Sequence, residues 1–200
     1  YIPTARRGPA YPLFLAALFS FFGLNYMVVQ IAQAFLGALT CLVIYYIAKE
    51  FFSRKIAIIS MFLSTIYLPF IEYTRHLLTE TLFTFLLSVT VLSLVIAVRR
   101  KLKKGYLIAG ILLGISTLCR PTTLLLPFFI LIAILLVYQN RKKALVHFSI
   151  FLLAMISVVS PWTMRNYFVF KRFIPVAFGG GLALWLGSYL PWDGINRGYK

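Results

Sequence analysis

Apolar residues in this chain come in blocks rather than alternating with polar ones, and the blocks have the length of helices. Residues 26–48, 56–71, 81–98, 106–119, 121–138 and 144–163 are nearly free of charge, and charged or turn-forming residues bound each run. A helix crosses a bilayer with about 20 apolar residues, within a range of roughly 17–25. Runs 26–48 and 144–163 meet that length comfortably and 81–98 is adequate, while 56–71 needs its helix to continue into the polar residues beyond. Runs 106–119 and 121–138 are separated by Arg120-Pro121 and flanked by basic clusters at their outer ends, so they form a hairpin returning to the side it left. The pattern predicts an all-α fold, a polytopic transmembrane helical bundle of about six spans.

Two segments fall outside that pattern. Residues 11–23 are too short for an easy crossing, and apolar runs of this length are more often interfacial or re-entrant. Gly23 is a suitable helix stop, so the segment is expected to lie flat as an outer interfacial helix; if it crossed instead, Arg6 and Arg7 would change sides. After Trp162 the texture changes, with Gly179-Gly180-Gly181, Pro191, Gly194 and Gly198, and residues 182–190 are too short for a seventh span. Three regions follow: 1–25 as outer loop and interfacial helix, 26–163 as the membrane module, and 164–200 as an extracytoplasmic loop or the start of a further region. Since Tyr1 is not an initiator methionine, the chain is expected to be a fragment.

Composition supports a membrane solvent, with 62% hydrophobic residues and a mean hydropathy of +0.92. The net charge of +16 could suggest nucleic acid, but eleven of the twenty basic residues sit in three short clusters: Lys49/Arg54/Lys55, Arg99/Arg100/Lys101/Lys103/Lys104 and Arg141/Lys142/Lys143. Short loops rich in Lys and Arg stay cytoplasmic, and anionic headgroups reinforce this, so no nucleic-acid partner is expected. Glu72, Glu80 and Asp193 then fall on the opposite side, with Arg7, Arg75, Arg120 and Arg165. Cys41 and Cys119 are isolated thiols inside apolar runs and form no disulfide or zinc framework.

Four constellations could carry chemistry. In Glu72-Tyr-Thr-Arg75-His76-Leu-Leu-Thr-Glu80, a continuous helix would set Glu72, His76 and Glu80 on one face. That spacing suits substrate contact, a general base or a divalent cation; it equally suits a solvated loop in which Thr79 caps the next helix. Glu80 is the sharper residue, because a carboxylate driven into an apolar run is costly unless partnered. Arg120, between two apolar arms, must snorkel, face a polar cavity or pair with Glu80 or Glu72, and its guanidinium forks onto phosphate or carboxylate. Pro161-Trp162-Thr163-Met164-Arg165-Asn166-Tyr167 places a cation and an amide at a helix end and is otherwise an aromatic-belt anchor. Thr4-Ala-Arg6-Arg7-Gly8-Pro9-Ala10-Tyr11-Pro12 is a stiff segment with two cations that suit lipid phosphate. No nucleotide loop, His/Cys metal signature or nucleophile elbow occurs. Arginines and acids on one side, without a nucleotide site, suit a substrate carried as a lipid phosphate.

Arg7-Gly-Pro9-Ala-Tyr11-Pro12-Leu-Phe-Leu-Ala is similar to the R-x-P-G-Y-P-L-F-L-A stretch of bacterial polytopic glycosyltransferases of the GT-C superfamily, relatives of the dolichyl-phosphate-mannose protein mannosyltransferases and the aminoarabinose lipid A transferases. Leu78-Thr79-Glu80-Thr81-Leu82-Phe83, Ala109-Gly110 through Arg120-Pro121, Pro161 through Tyr167, and Pro175 through Gly181 follow in order. The resemblance implies an inverting transfer of a sugar from a polyprenyl-phosphate donor to a glycan, lipid or protein acceptor at the extracytoplasmic face of the cell membrane. It places the catalytic acid upstream of Tyr1, leaving Glu80 a weak candidate. Arg7, Tyr11, Glu72, His76, Glu80, Arg120, Arg165 and Asn166 are the expected substrate-binding residues; no cofactor is specified, and a divalent metal stays open. Ala10 replaces the usual Gly, and the residues after Gly181 lack the relatives' Asn. The alternative is a membrane transporter or lipid flippase, for which Arg120-Pro121 is the main argument, since transporters place polar groups on broken helices near the midplane.

Overall fold

The computed structural model describes residues 4–178, and these are helical with no strand among them. In chain order the elements are α1 (Ala10–Phe22), α2 (Tyr26–Phe51), α3 (Arg54–Thr65), α4 (Leu68–Arg75), α5 (Glu80–Arg100), α6 (Lys103–Cys119), the 3-10 turn η1 (Pro121–Leu125), α7 (Leu126–Val137) and α8 (Arg141–Phe170). Local chemistry sets most boundaries. Gly23 ends α1 at φ +72°, and the Asn25 carboxamide accepts the Met27 amide at 2.9 Å to cap α2. Pro69 lies in the first turn of α4, where it cannot donate into α3, and the two helices meet at 46°. Lys101 turns the chain in the left-handed region between α5 and α6, and the Asn140 side chain caps α8 by accepting from the Lys143 amide at 3.1 Å.

Among the described residues three helices, α2, α5 and α8, are long and apolar enough to cross a membrane, or four if α3 and α4 form one bent span. Length and composition therefore do not confirm the expected count of six. The reason is geometric: α6 and the η1–α7 arm each hold 17 residues, about 26 Å of helix against a hydrocarbon core near 30 Å. At the other end, α8 continues through Pro161 to Phe170, so Pro161-Trp162 lies inside a helix and not at its end as expected. The predicted loop features from Gly179 onward, Asp193 and the 182–190 segment lie outside the described residues.

α6 is the central element, packed between α5 and α8, while α2 holds α3, α4 and α5. Its contact with α8 is close because Gly110 and Gly114 face it. A Cβ on Gly110 would stand 2.2 Å from the Phe151 carbonyl oxygen, and one on Gly114 would stand 2.7 Å from Val158 Cβ. Small residues four apart let membrane helices approach at backbone distance. Tyr106, Leu113, Ile134, Phe151 and Met155 fill the core around them. Phe35, Phe62, Phe128 and Leu136 point outward and stay exposed, as side chains do where the surrounding solvent is lipid.

Two ends of the bundle differ in chemistry. Glu50 reaches Arg99 at 3.3 Å and Arg100 at 4.0 Å, tying the first two basic clusters together. The Tyr106 and Tyr138 hydroxyls meet at 3.1 Å beside His147, which brings the second and third clusters to the same end. The starts of α2 and α5 and the ends of α4, α6 and α8 make up the other end.

Candidate functional site

Glu80 opens α5 and Arg120 follows the last residue of α6, so packing α5 against α6 brings the two side chains together. Arg120 Nη1 donates to Glu80 Oε1 at 2.8 Å, and the Thr79 hydroxyl donates to Glu80 Oε2 at 3.1 Å. Thr79 thus occupies the N-cap of α5, yet it bonds the neighbouring carboxylate and not the helix backbone. Both carboxylate oxygens are engaged, and the guanidinium also lies 5.7 Å from the Phe83 ring centre. Glu80 accordingly fixes where Arg120 points.

Around this pair lies a pocket of about 320 Å³ whose walls include Arg6, Arg7, Thr79, Cys119, Ala177 and Phe178. The N-terminal segment reaches it through a backbone contact. Gly8 rests directly on the Leu118 carbonyl at the end of α6, where a Cβ would stand only 1.9 Å from the oxygen. The opposite wall is held by α8. Trp162 Nε1 donates to the Val176 carbonyl at 2.8 Å, Thr163 Oγ1 to that of Pro175 at 2.7 Å, and Asn166 Nδ2 to that of Ile174 at 3.1 Å. This clamp fixes residues 174–176, and the Phe178 amide then donates to the Ala5 carbonyl. Residues from both termini of the described chain thereby close over the end of the α5–α6 hairpin.

Three guanidinium groups against one carboxylate give the pocket a net positive charge. Neither Arg6 nor Arg7 has an acidic partner among the described residues. Tyr11, in α1, is buried beside the pocket, and its hydroxyl has no hydrogen-bond partner there. Burial first, then Cys119 and Glu80, push its pKa up to about 12, with Arg7 opposing. The phenol therefore stays a neutral donor. Such a site can hold a phosphate, since guanidinium groups match its oxygens in fixed, charge-assisted geometry.

The other expected residues separate. The helix breaks between His76 and Thr79, so Glu72, His76 and Glu80 do not share one helical face. Buried Gln33 of α2 explains the break, donating to the His76 and Leu78 carbonyls at 3.2 Å each. Glu72 still meets His76 at 3.0 Å and Arg75 at 4.0 Å, on an exposed surface. No group of three or more His, Cys, Asp or Glu side chains stands close enough to hold a metal ion among the described residues. Asn166 is fully buried in the clamp, and Arg165 donates to its Oδ1 at 3.0 Å while lying 4.8 Å from the Trp162 ring centre. Arg7, Glu80 and Arg120 are thus brought to one pocket with Tyr11 behind it, whereas Glu72, His76, Arg165 and Asn166 lie apart from its walls. The wall residues Ala177 and Phe178 carry no chemical signal in the sequence, because only the clamp and the pairing with Ala5 bring them there.

No curated protein and no solved structure matches the chain. A family model described as dolichyl-phosphate-mannose-protein mannosyltransferase matches residues 6–164. That span runs from the arginines of the pocket wall, through the Glu80–Arg120 pair, to the clamp on α8, so the chain belongs to the dolichyl-phosphate-mannose-protein mannosyltransferase family and is a membrane glycosyltransferase of the mannosyltransferase kind.

Proposed function

We propose that this chain is the membrane module of a glycosyltransferase that takes its sugar from a polyprenyl-phosphate-linked donor, and that the pocket between residues 6–8, the start of α5 and the end of α6 holds the donor phosphate. One observation carries this: Arg6, Arg7 and Arg120 line a single pocket at the end of the bundle opposite the three basic clusters. If those clusters face the cytoplasm, as short basic loops do, the pocket opens at the extracytoplasmic face of the cell membrane. Transfer there joins the acceptor oxygen to the anomeric carbon as the bond from that carbon to the phosphate oxygen breaks. The electron pair leaves with the polyprenyl phosphate, and the arginines stabilise the charge that develops on it. The acceptor's hydroxyl proton passes to a base. Glu80, with both oxygens engaged, acts by positioning Arg120.

The full-length protein in lipid vesicles tests the assignment by sugar release from a polyprenyl-phosphate donor. Arg120→Gln is expected to lower transfer by about 10²-fold or more, the usual effect of losing one preorganised donor to developing charge. Transfer at the wild-type rate in both Arg120→Gln and Arg7→Gln removes the pocket from the reaction. His76→Cys should make the protein react with a membrane-impermeant maleimide from outside intact cells. Labelling only from the cytosolic side places the pocket on the wrong face.

A further inference from the structure

The wall formed by Arg6 and Phe178 has a cavity on each side. One is the donor pocket; the other, of about 460 Å³, is lined by Thr4, Arg6, Phe170, Arg172, Ile174 and Phe178. Its second cation is held in place by the end of α8. Lys171 adopts the left-handed conformation at φ 52° and its amide bonds the Tyr167 carbonyl at 2.9 Å, which turns the chain. Asn166 then fixes the Ile174 carbonyl, so Arg172 sits in a turn pinned on both sides. Glu50, Glu72 and Glu80 are paired with other groups, and Arg172 has no acidic partner among the described residues.

We propose that this second cavity is the acceptor subsite and that the acceptor carries a phosphate group near the hydroxyl it offers. The inference rests on the donor assignment above for the word acceptor. Two guanidinium groups on one cavity are the chemistry that recognises phosphate, whereas a neutral acceptor needs neither. Phe170 and Phe178 supply apolar faces against which a sugar ring or glycerol unit packs. The volume lies within the roughly 300–1,000 Å³ of small-molecule sites. Because Arg6 and Phe178 belong to both cavities, donor and acceptor would be one side chain apart, the proximity that transfer between them requires. A lipid headgroup and a soluble phosphorylated glycan both present such a phosphate.

The test uses full-length protein in phosphatidylcholine nanodiscs, titrated separately with glucose 6-phosphate, glucose and polyprenyl phosphate. Glucose 6-phosphate should bind more tightly than glucose, and Arg172→Gln should weaken it roughly ten-fold, the loss of one charged hydrogen bond. Arg172→Lys, which keeps the charge, should retain most of the affinity. Arg172→Gln should leave polyprenyl phosphate binding within about two-fold and Arg120→Gln should do the reverse, because each lines one cavity, while Arg6→Gln weakens both. In nanodiscs containing phosphatidylglycerol, competition with glucose 6-phosphate that depends on Arg172 assigns the phosphate to a lipid; no competition assigns it to a soluble acceptor. Glucose 6-phosphate binding no tighter than glucose, or unchanged by Arg172→Gln, overturns the proposal. Arg172-dependent phosphate binding in a protein that binds no polyprenyl phosphate instead removes the donor assignment, and the acceptor role with it.

Discussion

Gly8→Ala is the sharpest perturbation of the pocket, because it adds a single methyl group at a backbone contact. The new Cβ would lie 1.9 Å from the Leu118 carbonyl oxygen, 2.8 Å from its carbon and 3.1 Å from Val176 Cγ1. Relief requires a retreat of about 1.5 Å to reach ordinary contact. The carbonyl belongs to the last turn of α6, two residues before Arg120, so a retreat on either side of the contact shifts a guanidinium group of the pocket. The segment bearing Arg6 and Arg7 is in turn tied to Phe178 through Ala5. Overpacking of this kind costs about 1–3 kcal/mol, so the protein should fold with a lowered unfolding temperature. The effect on the site is larger, since a misplacement near 1 Å costs about 10²-fold in rate. Sugar transfer by the full-length protein in vesicles should fall by that order, and polyprenyl phosphate affinity should fall with it.

Gly23→Ala is the control. Gly23, unlike Gly8, has a positive φ, at φ +72° and ψ 178° in a region open essentially to glycine alone, but nothing stands within 4 Å of its Cβ position. The substitution carries about 1–3 kcal/mol of backbone strain without moving the arginines, so it should lower stability and spare transfer. If Gly8→Ala transfers sugar at the wild-type rate, or if Gly23→Ala loses as much transfer as Gly8→Ala, the contact with Leu118 does not position the site.

Arg120→Gln should destabilise the protein by about 1–2 kcal/mol, because it leaves the half-buried Glu80 carboxylate unpaired, with partial exposure reducing the cost. Adding Glu80→Gln should recover most of that stability in thermal unfolding while transfer stays low; additive losses would show that the pair is not coupled. Asn166→Ala should cost about 1–3 kcal/mol by leaving the Ile174 carbonyl without its donor, and hydrogen exchange over residues 171–178 should accelerate. Unchanged exchange there would dismiss the clamp. Gly110→Val should prevent close packing of α6 on α8 and lower the unfolding temperature more than Gly37→Ala, whose nearest neighbour stands at 3.4 Å. Equal effects would contradict backbone-distance packing at Gly110.

The apolar blocks located the helices well because a helix in lipid must satisfy its backbone internally. Run 26–48 became Tyr26–Phe51 and run 81–98 became Glu80–Arg100. The ends overshoot because Lys49, Arg99 and Arg100 are still helical, their long stems lying along apolar surface while the charges reach water. Glu80 and Arg120 were legible for a related reason, since charges beside apolar runs need partners. Arg7 was legible through its motif. The break at His76 was not, because its cause is Gln33, a side chain on another helix. Nor was the wall of Ala177 and Phe178, which depends on an amide at position 178 meeting a carbonyl at position 5. In water, an apolar stripe tells a core face from a solvent face. In lipid, Phe128 facing outward and Phe151 in the core are equally apolar, so hydrophobicity cannot say which helices touch. What marks contact is small size, as in Gly110-x-x-x-Gly114 against α8 and Gly8 against Leu118, because only a missing side chain lets two backbones meet.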